Sequence, residues 1–120
     1  MKYFFDSYAL IEIVKQNPNY ARFLEEPPVT SVLNAGETYL GLARDYDEKK
    51  AQEWLSKARN NALPVELSHT ISGMQFKLQH PKKNFSFVDC VSYAMAQERG
   101  LLFLTGDKEF KDVPGVEFVK

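Results

Sequence analysis

The stretch that most constrains the fold is Leu101-Leu102-Phe103-Leu104, apolar at every position and bounded by Gly100 and Thr105-Gly106. A strand with one wet face alternates apolar and polar residues. A run apolar on both alternations suits a strand covered on both faces, as inside a parallel sheet with helices above and below it. The rest of the chain alternates in kind. Tyr3-Phe4-Phe5 stops at Asp6, and Ala9-Leu10-Ile11 with Ile13-Val14 continue at helical spacing as far as Pro18. Tyr20, Phe23 and Leu24 indicate a second short helix that Pro27-Pro28 ends, and Val29 to Leu33 read as a second strand. Asn34 opens a helix carrying Tyr39-Leu40 and Leu42-Ala43, and an amphipathic stretch through Ala51, Trp54, Leu55 and Ala58 follows, closed by Asn60-Asn61. Pro64 to Leu67 read as a brief strand, with a helical segment through Ile71, Met74 and Leu78 and a polar loop, His80 to Asn84, after it. Between Ser86 and Arg99 the residues Phe87, Val88, Val91, Ala94 and Met95 trace one helix face, Gly100 serves as C-cap residue, and Val116 to Val119 supply a last strand after Pro114-Gly115. The expectation is an α/β fold: a three-layer α/β/α sandwich with a mainly parallel central sheet of four to five strands.

With 120 residues, 44% hydrophobic and 26% charged, the chain is expected to form one domain over 1–120 with a core large enough to fold without staples. The lone Cys90 cannot form an internal bridge, and with no Cys/His cluster beside it no zinc site is expected. A net charge of -1 excludes the strongly basic class of nucleic-acid binder, so any contact with RNA must come from local patches or from metal. With Asp6 so early and no long apolar stretch, neither a signal peptide nor a membrane span is expected, and the chain reads as cytoplasmic.

In an open parallel sheet, ligands bind beyond the carboxyl ends of the strands. Asp6 and Asp107 stand just after apolar runs, Glu37 shortly after Val32-Leu33, and Asp89 in the first turn of its helix. Each has an ordinary structural reading as well. Asp6 and Asp107 suit N-caps, while Asn34-Ala35-Gly36-Glu37 and Ser86-Phe87-Val88-Asp89 resemble capping boxes. Caps, however, do not require four acids at one sheet edge, and a metal site does. Carboxylates from separate elements are the hard oxygen ligands that Mg²⁺ and Mn²⁺ prefer, and such ions activate water and stabilise charge in phosphodiester hydrolysis.

The order Phe5-Asp6-Ser7-Tyr8-Ala9-Leu10, Asn34-Ala35-Gly36-Glu37, Phe87-Val88-Asp89-Cys90-Val91 with Ala94 and Ala96, and Leu104-Thr105-Gly106-Asp107-Lys108-Glu109-Phe110 resembles the PIN domain, most of all its compact VapC toxin branch. The resemblance covers nearly the whole chain, and four blocks in order are far more specific than any one. It implies a Mg²⁺- or Mn²⁺-dependent ribonuclease, homodimeric, encoded beside an antitoxin that blocks the acidic pocket. Carried over by motif, Asp6, Glu37, Asp89 and Asp107 are the metal-site and catalytic acids, with the hydroxyls of Thr105 and Ser7 in a secondary place. Glu109 and Asp112 are left outside the core set, as a further acid of the site or as surface charge.

Among the cations, Lys82, Lys83 and Lys108 lie near the acids in sequence and are the candidates for RNA phosphates. Phe85 and Phe87 are candidates for base stacking, with Phe87 assigned rather to the core face of its helix; Trp54, Tyr39 and Leu40 are read as core or interface residues. His69 and His80 are read as surface or loop histidines. No nucleophile elbow and no glycine-rich phosphate loop is present, which disfavours acyl transfer and nucleotide binding. Two other classes compete: a catalytically silent PIN-fold module that binds RNA or protein, and a phosphoacceptor signalling domain, which would want paired acids after the first strand where this chain offers Asp6 alone.

Overall fold

The computed structural model describes residues 2–120, and its elements alternate as the apolar runs require. In chain order they are β1 (Tyr3–Phe5), α1 (Ser7–Val14), a 3-10 segment (Pro18–Glu25), β2 (Thr30–Ser31), α2 (Val32–Asp45), α3 (Glu48–Ala58), β3 (Ala62–Leu63), α4 (Leu67–Gln79), α5 (Phe87–Glu98), β4 (Leu102–Thr105), a 3-10 turn (Lys108–Phe110) and β5 (Val116–Phe118). β1 pairs parallel with β4, β4 with β5, and β2 with β3. A parallel bridge between Phe4 and Val29, with the Phe5 amide donating to the Val29 carbonyl at 2.8 Å, joins the two groups into the order β3-β2-β1-β4-β5.

Side chains of successive strand residues point to opposite faces, and here each face meets its own helices. Phe4 and Phe103 go to one side, with ring centroids 5.9 Å apart, and pack with Phe76 of α4 and Val91, Tyr93 and Met95 of α5. Phe5 and Leu104 go to the other side, among Ala9 and Leu10 of α1, Tyr20, Phe23 and Val119, with Trp54 of α3 packed against them. Burying each such side chain stabilises by about 1.5–3 kcal/mol, so the two clusters hold the sheet from both faces. The Tyr20 hydroxyl, fully buried, donates to the Val119 carbonyl at 2.5 Å and so leaves no polar cost behind. Gly73 lets α4 approach α5 closely, because a Cβ there would lie 2.8 Å from the Val91 Cα. Gly100, at φ 68°, takes the left-handed conformation that closes α5.

Several local expectations shift. Val32 and Leu33 lie in the first turn of α2 instead of extending the strand, because Ser31, not Asn34, is the N-cap: its hydroxyl accepts from the Asn34 amide at 3.2 Å. The capping box expected between Asn34 and Glu37 is therefore not formed. The third strand is Ala62–Leu63, ending immediately before Pro64, which has no amide to give a ladder, and Leu67 opens α4. Within α4 the buried residues are Gly73 and Phe76, while Ile71 and Leu78 are exposed. Leu40 and Phe87 are also half exposed, whereas Phe85 is buried in the aromatic cluster and cannot stack on a base. His69 is neither a loop nor a free surface residue. Its Nδ1 accepts from the Glu66 amide in a capping box at the start of α4, and its Nε2 meets Glu98 at 2.7 Å.

Candidate active site

Strand order reverses direction at β1: the chain first builds outward through β2 and β3, then returns to add β4 and β5 on the other side. Such a switch point leaves a crevice at the carboxyl edge of the sheet. Asp6 directly follows β1, Asp107 stands two residues after β4, Asp89 is in the first turn of α5, and Glu37 is in the second turn of α2. Their mutual influence shows that the fold brings them together. Asp6 feels the charges of Asp89 and Asp107, and Asp89 feels those of Asp107 and Glu37.

Cap and site turn out to be compatible. Asp6 accepts from the Ala9 amide at 2.8 Å, Asp107 from the Glu109 amide at 3.0 Å, and Asp89 from the Ser86 amide at 2.9 Å within a complete capping box. Glu37 accepts from the Ser7 hydroxyl at 2.5 Å. Each acid thus has one oxygen fixed by a donor, which orients the carboxylate for whatever else it holds.

The electrostatics are those of a site short of positive charge. Asp6 is 5% exposed, and burial, with Asp89 and Asp107 adding to it, pushes its carboxyl up to about 7 despite hydrogen bonds from Thr105 and the Ala9 amide. Burial also raises Asp89, with Asp107 and Glu37 adding to it, against the two bonds from Ser86. Carboxylates in this state gain from a hard divalent cation, and the donor set fits Mg²⁺ or Mn²⁺. Among the described residues no three His, Cys, Asp or Glu side chains stand close enough together to hold a metal ion as they are.

Thr105, fully buried, serves two acids at once: its hydroxyl bonds to Asp6, and its oxygen accepts from the Asp107 amide at 3.1 Å. Between them Gly106 has no room for a side chain, since a Cβ would run into the Tyr8 ring and the Val119 carbonyl. Ser7 orients Glu37 and is itself held by Asn34, whose Nδ2 donates to the Ser7 oxygen at 3.3 Å, while the Asn34 Oδ1 accepts from Ser31 at 2.5 Å. Asn34, Ser31 and Gly106 were missed as site residues. The available signal was that Asn34 precedes Glu37 by one helical turn and so shares its face.

Of the three candidate cations, Lys82 and Lys108 are exposed, whereas Lys83 is half-buried and donates to the Glu109 carbonyl at 3.1 Å. Glu109 accepts from the Asn84 amide at 2.8 Å, and Asp112 is exposed.

The same arrangement of elements is found in solved structures. The Mycobacterium tuberculosis toxin VapC20, described as cleaving the sarcin-ricin loop, superposes with a TM-score of 0.81 at 21% identity, covering 98% of this chain and 97% of that one. A toxin-antitoxin complex from Klebsiella pneumoniae gives 0.77 at 20% identity, covering 98% and 96%. The DNA-bound VapBC complex of Salmonella typhimurium gives 0.77 at 19%, covering 99% and 97%. No curated protein sequence matches significantly. The family model of the PIN domain matches residues 3–116, a span that runs from β1 to the start of β5 and holds all four acids. With fold, order of blocks and family model in agreement, this chain belongs to the PIN-domain family.

Proposed function

We propose that this chain is a metal-dependent endoribonuclease that hydrolyses RNA phosphodiester bonds, and that it is the toxin of a toxin-antitoxin pair. The observation that carries the reading is that Asp6, Asp89 and Asp107 stand with Glu37 at the carboxyl edge of the sheet beside the switch point, with Asp6 buried there at 5% exposure. Asp6, Glu37, Asp89 and Asp107 are the residues that would hold Mg²⁺ or Mn²⁺. When bound, the metal supplies a water of lowered pKa and neutralises charge on the attacked phosphate. Thr105 holds Asp6 and the Asp107 backbone in register, and Ser7 holds Glu37. Lys82 and Lys108, both exposed, would meet RNA phosphates, with Lys83, whose ammonium donates to the Glu109 carbonyl, as a third candidate.

The proposal includes two protein contacts and a cytoplasmic setting. One contact is an antitoxin covering the acidic edge, in keeping with the toxin-antitoxin complexes among the structural relatives. The other is a second copy of the chain. Leu67, Ile71 and Leu78, on one side of α4, are 77%, 52% and 81% exposed, and the helix between them carries Ser68, Thr70, Ser72 and Gln75 where solvated helices carry charge. Among the described residues no helix is long and apolar enough to cross a membrane.

The test is cleavage of a mixture of structured and single-stranded RNAs by wild type and Asp89→Asn, with Mg²⁺, Mn²⁺ or a chelator. Cutting by wild type alone, abolished by the chelator, is the expected result. A folded wild type that neither cuts nor binds metal would overturn the nuclease reading and leave the binding module.

A further inference from the structure

Asp89 and Asp107 come from different elements, and a seam of contacts ties the segments that carry them. The Lys83 ammonium donates to the Glu109 carbonyl at 3.1 Å, the Asn84 amide donates to Glu109 Oε1 at 2.8 Å, and the Phe85 ring stacks on Phe110 with centroids 4.5 Å apart. Lys77 of α4 adds a bond to the Phe85 carbonyl at 2.6 Å. Glu109 is the centre of the seam. Its own amide donates to Asp107 Oδ1 at 3.0 Å, so its backbone holds one acid while its carboxylate holds the loop that leads to the other. Two residues beyond Asn84, the Ser86 amide donates to Asp89 Oδ2 at 2.9 Å. From Asp107 through Glu109, Asn84 and Ser86 to Asp89 there is thus one short, nearly continuous path of backbone donors and carboxylate acceptors.

We propose that Glu109 is a positioning residue that sets the separation of Asp89 from Asp107 by clasping the loop ahead of α5, and that it is not a fifth ligand of the site. The inference rests on the metal-site reading of the four acids. The Glu109 side-chain oxygen that accepts the Asn84 amide fixes a polar loop whose freedom would otherwise pass to the Ser86 cap. The buried Phe85–Phe110 pair keeps the two segments adjacent, and the Glu109 bonds fix their register. Partners of this kind, behind a metal's own ligands, orient those ligands and carry much of the site's affinity.

Glu109→Ala and Glu109→Gln separate the two roles, since glutamine keeps an oxygen where Oε1 lies and loses only the charge. Both variants, checked for folding by circular dichroism, would be compared with wild type by amide hydrogen exchange at Asn84 and Ser86 and by calorimetric titration with Mn²⁺. Glu109→Ala is expected to speed exchange at both amides and to weaken Mn²⁺ binding by roughly 10-fold, with Glu109→Gln staying close to wild type. Loss of Mn²⁺ affinity in both variants with the amides still protected would make Glu109 a ligand and overturn the proposal. Unchanged exchange in Glu109→Ala would overturn the clasp itself. A wild type that binds no Mn²⁺ would refute the metal-site reading instead, and with it the role given to the clasp, whatever the amides do.

Discussion

Asp6 is asked to be a cap, a neighbour of two other acids and a buried group at once, and its raised carboxyl is the result. A group that titrates near 3.8 when unfolded and near 7 when folded holds its proton more tightly in the fold, so between those values the folded chain binds more protons than the unfolded one. Stability therefore falls as pH rises from about 4 to about 7 and is lowest above that window, by up to a few kcal/mol. Asp6→Asn keeps an oxygen for the Ala9 amide and removes the charge. In urea melts without metal, the variant is expected to be more stable than wild type at pH 8, with the gap closing toward pH 4.5; equal or lower stability at pH 8 would show that Asp6 is already compensated. Asn34 gives the second residue-scale prediction. It is 1% exposed and bonded to both Ser31 and Ser7, so Asn34→Ala is expected to cost about 1–3 kcal/mol in the same melts and to loosen Glu37. The four candidate acids could be singled out because each follows or opens an element with a recognisable edge. Asn34 was not, because an Asn three residues before a Glu is also what a capping box looks like.

Where an element's ends are set by partners close in sequence, its limits were readable; where they are set by distant pairing, they were not. The Ser86–Asp89 box was visible because both of its bonds close within four residues, and the structure contains both. Ser86→Ala removes the acceptor for the Asp89 amide and should cost about 1 kcal/mol of stability, read as a shift in the urea midpoint. It also removes a bond that holds the Asp89 carboxyl down, so that carboxyl should rise further. β2 and β3 are two residues each, too short to show an alternation, and exist because each gives the other a parallel ladder. Their positions depend on contacts 32 residues apart, which is why Val32-Leu33 and Pro64 to Leu67 look like strands in the sequence and do not form them. The apolar residues of α4 misled for a related reason: the helical period shows a face but not what covers it.

For the whole molecule, the parallel sheet with helices on both sides was legible from the doubly apolar Leu101 to Leu104 run and from the alternation around it. That the acids share one edge of the sheet was legible only through the order of four blocks, because it depends on β4 lying beside β1, with Tyr3 paired to Leu102. The exposed row on α4 belongs to this scale as well. If it is covered by a second copy, Ile71→Glu, a change at a half-exposed position, should convert a dimer to a monomer in sedimentation velocity without loss of fold; a variant that sediments as wild type does would place the self-contact elsewhere. In the proposed mechanism Asp6, Glu37, Asp89 and Asp107 act as one divalent-metal site. Its most direct test is calorimetric titration of Mn²⁺ into wild type and into the four single variants Asp6→Asn, Glu37→Gln, Asp89→Asn and Asp107→Asn. Binding by wild type that each substitution weakens is the result this account predicts. A wild type that takes up no Mn²⁺, or four variants that bind as wild type does, would contradict it.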